Sequence, residues 1–281
     1  MTPRTRASRL LVVGSGSYLA REFLARNADL NARAISHSQV NEDVHYEGVA
    51  CVVNFAFAPA LQVSEYDAEL DVDARAARRA AAHRAHFVML SSRRVYADAA
   101  QWNASEKAPL GGIDAYSRNK LRVERNLEAL LGARLTVLRP GNVVGYEPIP
   151  GRQRFAAYLQ NQLLETGRIL LSVDPRVRRD LVPVDFFCRV LRKVLATMPG
   201  GVFNVGSGAA TRVGDAARWL LEGFGGGELL VEGAGGSEFL LDSSKLAREL
   251  GLACAPGDLE RTLREAGNRL AREKAMPRAL D

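Results

Sequence analysis

The sequence has few cysteines and lacks any long apolar run. Its 281 residues include Cys51, Cys188 and Cys254, an odd number at spacings that match no metal site. We expect them to be small buried thiols of a reducing compartment. No apolar run approaches the roughly 20 residues of a membrane span, and the polar start of the chain shows no signal peptide. These absences predict a cytoplasmic protein without a metal centre or a membrane partner.

The chain also lacks a basic tail and basic strands interleaved with aromatic residues. Its formal net charge of +6 comes mainly from arginines spread over predicted helices. Nucleic acid is therefore not an expected partner. Two alternatives remain for the positive charge: a solvated arginine-rich surface, or a preference for anionic ligands such as phosphates.

A small-residue turn follows the first predicted strand. Residues 9–13 (RLLVV) read as a short buried strand, and GSGSYLA at residues 14–20 leads into a helix that ends near Asn27. Small side chains let the backbone approach a pyrophosphate, and a helix N-terminus offers unbonded N–H groups. Ser17 and Ala20 stand where two glycines of the usual motif would be, but both still permit close packing. The pattern predicts a phosphate-binding turn.

No acidic residue directly follows the second predicted strand, residues 32–35. The next residues are Ser36, His37 and Ser38, and the acidic pair at 42–43 comes later. A dinucleotide fold that selects NAD usually places Asp or Glu at this point, where it binds the ribose hydroxyls. Its absence favours NADP as the cofactor, with NAD as the alternative.

Strands and helices alternate along most of the chain. Predicted strands at 51–56, 86–91 and 135–138 favour a Rossmann-like, doubly wound parallel sheet, trimmed at one edge because too few residues separate the second and third strands for a helix. We predict a dinucleotide-binding domain over residues 1–165, to which residues 182–206 return. An interleaved, smaller substrate-binding α/β lobe would occupy residues 166–281.

Tyr116 and Lys120 lie four residues apart on a predicted helix and therefore share one face. A free phenol titrates near pH 10, and an ammonium close by favours the phenolate. Ser92 falls at the carboxyl end of the strand at 86–91, where parallel α/β folds bind ligands. The spacing YSRNK alone is a weak signal, because any amphipathic helix can carry such a pair.

Eight segments in this order carry a resemblance to a known family. Nearly the whole chain resembles the extended short-chain dehydrogenase/reductase family, in its NAD-dependent epimerase/dehydratase group, which modifies nucleotide sugars. The resemblance implies a nicotinamide dinucleotide cofactor, a nucleotide-sugar substrate and a homodimer. The segments are GSGSYLA, VVNFA, LSSRRVY, YSRNK, LRPGNVVG, RRDLVPVDF, VFNVGSG and LDSSKLARELG.

The resemblance also implies roles for individual residues. Tyr116 matches the catalytic acid/base, Lys120 its helper and Ser92 the catalytic serine. The residues expected to contact the substrate are Arg94, Asn142 and Arg179. The family counterpart of Arg179 often holds the diphosphate of the nucleotide sugar. The cofactor contacts are Gly14, Gly16, Ser17, Tyr18, Leu19, Ser36, His37, Asn54, Ala56, Lys120 and Pro140.

The chain departs from the family pattern at several positions. Arg93 and Arg94 follow Ser92, where sugar 4,6-dehydratases carry an Asp–Glu pair and where enzymes that epimerise C3 and C5 carry a cysteine at the second position. The usual asparagine of the preceding helix is matched by Asp71, and residues 233–239 (GAGGSEF) lack a second diphosphate-binding arginine. The missing Asp–Glu pair argues against dehydration, and the missing second arginine counts against a nucleotide diphosphate sugar as the ligand.

Three hypotheses follow. The first is a reductase that uses NADPH or NADH to convert a keto group, at C4 of a nucleotide-linked sugar, into an alcohol. The second is a 4-epimerase with tightly held NAD, and the third is a degenerate dinucleotide-binding protein. The missing acid and the trimmed sheet edge favour the reductase, because an epimerase must retain its cofactor through the whole cycle.

Overall fold

The computed structural model describes residues 9–151 and 154–275; the polar N-terminal segment predicted to precede the first strand lies largely outside these ranges. Within them the strands are β1 (Leu10–Val13), β2 (Arg33–Ile35), β3 (Cys51–Asn54), β4 (His86–Leu90), β5 (Leu135–Pro140), β6 (Asn142–Val144), β7 (Arg168–Leu171), β8 (Arg178–Pro183), β9 (Gly201–Val205), β10 (Ala210–Arg212) and β11 (Glu228–Val231). The helices are α1 (Tyr18–Arg26), α2 (Val72–Ala82), α3 (Ala115–Leu131), α4 (Phe155–Thr166), α5 (Val184–Thr197), α6 (Val213–Phe224), α7 (Ser244–Leu250) and α8 (Asp258–Ala275).

A parallel sheet of six strands forms the centre of the molecule, in the order β2-β1-β3-β4-β5-β9. β1 and β3 are buried along their whole length, as strands covered on both faces must be. Helices α1, α5 and α7 contribute to the core on one face, and α2 and α3 to the core on the other. The predicted Rossmann-like, doubly wound sheet is confirmed.

The sheet is trimmed at the β2 edge, as the sequence predicts. Between β2 and β3 the chain forms only short 3₁₀ turns, at His37–Gln39 and Asp43–His45. β2 pairs with β1 alone and is therefore an edge strand.

The C-terminal part of the chain builds two small sheets and a third core. β8 pairs with β6 and β10, and β7 pairs with β11. Helices α6 and α8 cross closely at two glycines, since a Cβ on Gly223 would lie 2.1 Å from the Arg264 carbonyl oxygen and one on Gly267 would lie 2.2 Å from that of Leu220. Helix α4 packs against β7 and α8. The division into two domains stays a prediction.

The structure shows where the three cysteines lie and whether a helix in the described ranges could span a membrane. Cys51 and Cys188 are buried thiols, as predicted, whereas Cys254 is half-buried. Burial raises the pKa of Cys51 and that of Cys188 to about 12. None of the helices in these ranges combines the length and apolarity needed to cross a bilayer.

Candidate active site

The glycine turn after β1 is held against the ends of β2 and β3. Gly14 has a φ of +79°, and a Cβ there would lie 2.7 Å from the Ala56 backbone nitrogen. The N–H groups of Gly14 and Ser15 both donate to the Ile35 carbonyl, at 2.9 and 3.1 Å. Only glycine fits this close, left-handed position, so the turn brings bare backbone to the carboxyl edge of the sheet.

Helix α1 starts in this turn and presents its N-terminus there. Ser17 caps the helix by accepting a hydrogen bond from the Ala20 N–H at 3.3 Å. The N–H groups of Tyr18 and Leu19 have no acceptor within the described ranges. A Cβ on Gly16 would meet no atom within 4 Å, so space lies beside the turn. Backbone donors and a helix dipole at this point fit a pyrophosphate.

The Tyr18 side chain points away from this space. It is buried in the core on the α1 face of the sheet, and its hydroxyl lies close to Gly145. Burial raises the pKa of this phenol. Tyr18, a predicted cofactor contact, can therefore reach a dinucleotide only through its backbone.

The loop after β2 carries the residues expected beside the adenine ribose. Ser36 caps the short turn by accepting from the Ser38 N–H at 3.2 Å, and His37 is exposed. The acidic residues that follow pair elsewhere: Glu42 with His45 at 2.9 Å, and Asp43 with Arg79 and His83. The Arg33 guanidinium donates to the carbonyls of Val44 and His45, which hold it against the outer part of the loop.

Asn54 and Ala56 shape the turn after β3. The Asn54 side chain is buried, accepts from the Ala56 N–H at 2.9 Å and donates to the Ala56 carbonyl and to Asp73. Through these bonds Asn54 holds Ala56 against Gly14. Its contact with the cofactor stays a prediction. Pro140 ends β5 on the same edge of the sheet, beside Val205 of β9.

Helix α3 carries Tyr116 and Lys120 on one face. Asp114 caps the helix through a reciprocal pair of hydrogen bonds with Ser117. Tyr116 is half-buried and Lys120 is buried. Phe57 contacts both: its ring lies edge-on to the Tyr116 ring at 5.3 Å, and the Lys120 Nζ lies 4.2 Å from its centroid.

The Ser92 turn packs against the start of α3. Ser92 caps the short turn Arg93–Val95, with its Oγ accepting from the Arg94 N–H at 3.2 Å. The Arg94 guanidinium carbon lies 5.9 Å from the centroid of the Tyr116 ring and pairs with Asp114. The serine predicted from the strand end and the tyrosine predicted from the helix thus belong to elements in contact.

A buried carboxylate that the sequence did not single out faces Lys120. The Lys120 Nζ lies 3.1 Å from Asp73 Oδ2, and Asp73 Oδ1 accepts from Asn54 Nδ2 at 2.6 Å. Burial raises the pKa of Asp73, while Lys120 and Asn54 act in the opposite direction. Asp71, which the family pattern matched to an asparagine, caps α2 and accepts from the Tyr66 hydroxyl.

A second unanticipated network lies beneath the site. Glu124, one turn beyond Lys120, forms a buried ion pair with Arg139 and accepts from the Ser91 hydroxyl. Arg139 also donates to the Tyr96 hydroxyl at 3.2 Å, and Tyr96 donates to Asn204 at 2.6 Å. This network ties α3 to the ends of β4, β5 and β9.

Two half-buried guanidinium groups lie near each other, one on the Ser92 turn and the other on β8. Arg179, on β8, lies with its guanidinium carbon 5.5 Å from the Phe155 centroid and donates weakly to the Ser237 carbonyl. Arg93 stacks on Phe239 at 3.3 Å and donates to Gln101. Within the described ranges neither has a carboxylate hydrogen-bond partner. Burial, with Arg94 and Arg179 close by, lowers the pKa of Arg93 to about 9.

The neighbouring arginines behave as surface residues. Arg176 pairs with Asp174 at 2.7 Å, and Arg178 pairs with Glu238 at 3.1 Å. Asn142, the remaining predicted substrate contact, starts β6 beside Leu181 of β8 and is half-buried.

Solved structures share this fold. A UDP-N-acetylglucosamine 4-epimerase from Methanobrevibacter ruminantium M1, in complex with UDP-N-acetylmuramic acid, is 14% identical, with a TM-score of 0.81 over 95% of this chain and 99% of that chain. A UDP-glucose 4-epimerase from Thermotoga maritima, with UDP-glucose, is 19% identical, with a TM-score of 0.79 over 94% and 99%. RMD from Pseudomonas aeruginosa, complexed with NADPH, is 18% identical, with a TM-score of 0.75 over 94% and 99%.

At these identities the structures establish the fold alone. Among curated proteins none matches the sequence. A family model does match: that of the NAD dependent epimerase/dehydratase family, over residues 9–206. This range includes the glycine turn, Ser92, Tyr116 and Lys120, and it covers well over half of the chain. The chain therefore belongs to the NAD dependent epimerase/dehydratase family.

Proposed function

We propose that the protein is an NADPH-dependent reductase of a keto group, at C4, of a nucleotide-linked sugar. One observation carries the proposal: Tyr116 and buried Lys120 share a face of α3, against which the Ser92 turn packs. The glycine turn and the N-terminus of α1 supply a place for the dinucleotide at the carboxyl edge of the same sheet.

The side chains of Tyr116, Ser92 and Lys120 have different roles in the proposed reduction. The dinucleotide, when bound, supplies the hydride for the sugar carbon. Tyr116 donates its phenolic proton to the oxygen on that carbon, because hydride addition leaves the oxygen negative. Ser92 donates a hydrogen bond to the same oxygen and fixes its position. Lys120 stabilises the phenolate that remains.

Two features support reduction over epimerisation, and both concern the adenine side. The turn after β2 offers Ser36, His37 and Ser38 and no carboxylate, and the nearby acids pair elsewhere. Only short 3₁₀ turns connect the edge strand β2 to β3. We infer that an edge with so few elements holds the adenine side loosely, which suits a dinucleotide that exchanges at each turnover.

The second candidate is a 4-epimerase with tightly bound NAD. It is favoured by the shared fold, since two of the similar structures are 4-epimerases of UDP sugars, one of them holding UDP-glucose. A third structure holds NADPH. A degenerate dinucleotide-binding protein is the remaining alternative, against which the presence of Ser92, Tyr116 and Lys120 counts.

The anionic end of the substrate has partners in Arg179 and Arg93. Charges withdrawn from water are normally paired in proteins. Among the residues that the structure describes, however, no carboxylate bonds these two guanidinium groups, which stack on Phe155 and Phe239. Their N–H edges are suited to a diphosphate, which accepts two-pronged hydrogen bonds from arginine. We assign the diphosphate of a nucleotide sugar to this pair. Arg94 and Asn142 would contact the sugar.

The family resemblance also leads us to propose a cytoplasmic homodimer. The dimer would form through α3 and the helix before it. Sedimentation of the purified chain tests this assembly, and a monomer at micromolar concentration would contradict it.

Reduction and epimerisation differ in whether the dinucleotide is consumed. We would incubate the protein with NADPH carrying deuterium at C4 and a UDP-linked 4-ketohexose, and in parallel with UDP-glucose and NAD. A reductase consumes NADPH and delivers one deuterium to C4 of the product. Conversion of UDP-glucose to UDP-galactose without net change in the dinucleotide would support the epimerase, and binding of NADPH without either reaction would support the degenerate protein.

A further inference from the structure

Asp73 is a buried carboxylate in the first turn of α2, and only 1% of the residue is exposed. Its two oxygens face different partners, Lys120 Nζ at 3.1 Å and Asn54 Nδ2 at 2.6 Å. A buried charge of this kind is costly unless it is paired and hydrogen-bonded. Here both conditions are met, and the partner is the lysine placed beside Tyr116.

The contacts of Asp73 continue into the glycine turn. Asn54, which donates to Asp73, also bonds both the N–H and the carbonyl of Ala56. The Ala56 nitrogen is the atom that a Cβ on Gly14 would approach to 2.7 Å. One carboxylate therefore connects the lysine of the proton-transfer site to the backbone turn that would hold the dinucleotide.

The charges around Tyr116 come from three elements. From its own helix, Lys120 lies one turn away, and Glu124 beyond it is already paired with Arg139. From the Ser92 turn, Arg94 faces the ring and is paired with Asp114. From α2, Asp73 faces Lys120, and Asp71 lies two residues away at the helix cap. Asp73 is thus the carboxylate in direct contact with Lys120.

We propose that Asp73 is a positioning residue that acts through Lys120: it holds the ammonium in place and offsets its charge, so that Tyr116 keeps its proton until hydride transfer. An ammonium alone favours the phenolate, whereas a reductase needs the phenol as donor. The negative charge of Asp73 offsets the charge of the ammonium and so favours the phenol form of Tyr116. The inference rests on the proposed reduction, and it adds a residue whose own contacts are with the lysine and the turn.

The test reads the ionisation of Tyr116 directly and needs no substrate. The absorbance of tyrosinate is titrated against pH, and the titration of the same protein with Tyr116→Phe is subtracted to isolate one phenol among the seven tyrosines. In Asp73→Asn we expect the Tyr116 midpoint to move about one pH unit lower, as loss of a nearby negative charge requires. Asp71→Asn, which removes the same charge from the cap of the same helix, should leave the midpoint within a few tenths of a unit.

A double substitution separates action through Lys120 from a general effect. In a Lys120→Met background the buried Asp73 loses its cation and takes up a proton, so Asp73→Asn should no longer move the midpoint. The double variant leaves no unpaired buried charge that would hinder folding. Equal midpoints for wild type and Asp73→Asn, or an equal shift with Asp71→Asn, would overturn the inference. So would a shift that persists without Lys120. A chain that fails to reduce keto sugars would refute the proposed function but would leave this titration unaffected.

Discussion

We predict that the choice of dinucleotide depends on single residues in the turn after β2. His37 is exposed, and the acids at 42–43 are engaged with other side chains. We predict a higher kcat/KM with NADPH than with NADH, because no carboxylate repels the 2′-phosphate. His37→Asp should reverse the preference, since a carboxylate there would repel the phosphate and accept from the ribose hydroxyls.

Steady-state kinetics with both dinucleotides measure this ratio. Asn41→Asp, which adds the same charge at an exposed position outside the turn, serves as the control. A native preference for NADH, or an unchanged ratio in His37→Asp, would show that another part of the chain recognises the ribose.

Arg179 offers a residue-scale test of substrate binding. Arg179→Lys should raise the KM for the nucleotide sugar roughly tenfold to a hundredfold, as loss of a charge-assisted hydrogen bond costs about 1.5–3 kcal/mol. The effect should fall on KM and leave kcat nearly unchanged, because the diphosphate is remote from the reacting carbon. The KM for NADPH should not change, because Arg179 is assigned to the sugar nucleotide and not to the dinucleotide. Arg176→Lys is the matched control: this arginine is exposed and pairs only with Asp174 in the described structure. An equal loss on the cofactor side would mean that Arg179 is structural.

Individual residues were predictable to different degrees. Ser92, Tyr116 and Lys120 follow from a strand end and an i, i+4 spacing, which are local features. Asp73 does not, because its role depends on Lys120, 47 positions away. The sequence drew attention to Asp71 instead, and that residue caps the helix, as an acidic residue directly before a helix commonly does. The stacking of Arg93 on Phe239 is equally non-local.

At the scale of elements, strand β4 carries a buried histidine whose protonation opposes folding. His86 bonds Thr136 at 2.7 Å, and burial with Arg134 close by lowers its pKa from 6.5 to about 4. Because the folded state binds this proton less readily than the unfolded chain, the stability that neutral His86 contributes is present above pH 6.5. It is lost as the pH falls from 6.5 toward 4.

The direction of this pKa shift predicts that the free energy of unfolding depends more strongly on pH in the wild type than in a variant that cannot titrate at position 86. His86→Gln keeps a neutral hydrogen-bonding group beside Thr136 but cannot titrate. Between pH 6.5 and 4 the wild type should lose roughly 3 kcal/mol more than the variant at most, at about 1.4 kcal/mol for each pKa unit. Denaturant unfolding at a series of pH values gives both curves. Parallel curves would mean that His86 titrates normally in the folded protein.

Element boundaries were predictable where one pattern dominates. The run at 155–166 predicts a helix and the apolar run at 228–231 predicts a strand, and α4 and β11 have these bounds. β6 was missed, since its residues lie in a segment rich in glycine and proline that reads as a turn, and it forms only by pairing with β8. The sequence predicts one helical region over residues 243–274, which the structure divides into α7 and α8 at Gly251, where φ is +67°.

On the scale of the whole molecule, the proposed site draws on the six-stranded sheet and on one of the small sheets. The sheet contributes the glycine turn, Ser92 and the helix with Tyr116, whereas Arg179 comes from β8 in a separate small sheet. Sequence alternation predicted the first set, because parallel strands place their carboxyl ends on one edge. It could not predict which loops the C-terminal segments would meet, since the β8–Phe239 bridge depends on tertiary packing.

The central claim is that Tyr116 donates the proton in a dinucleotide-dependent reduction. Tyr116→Phe removes the hydroxyl and leaves the ring against Phe57, so the site should keep its shape. We predict that the variant binds NADPH within about twofold of the wild type, measured by fluorescence. Its single-turnover reduction of a UDP-linked 4-ketohexose should fall by at least about a hundredfold, the lower range for loss of a general acid. Turnover within a few-fold of wild type in a variant that binds NADPH normally would contradict the account.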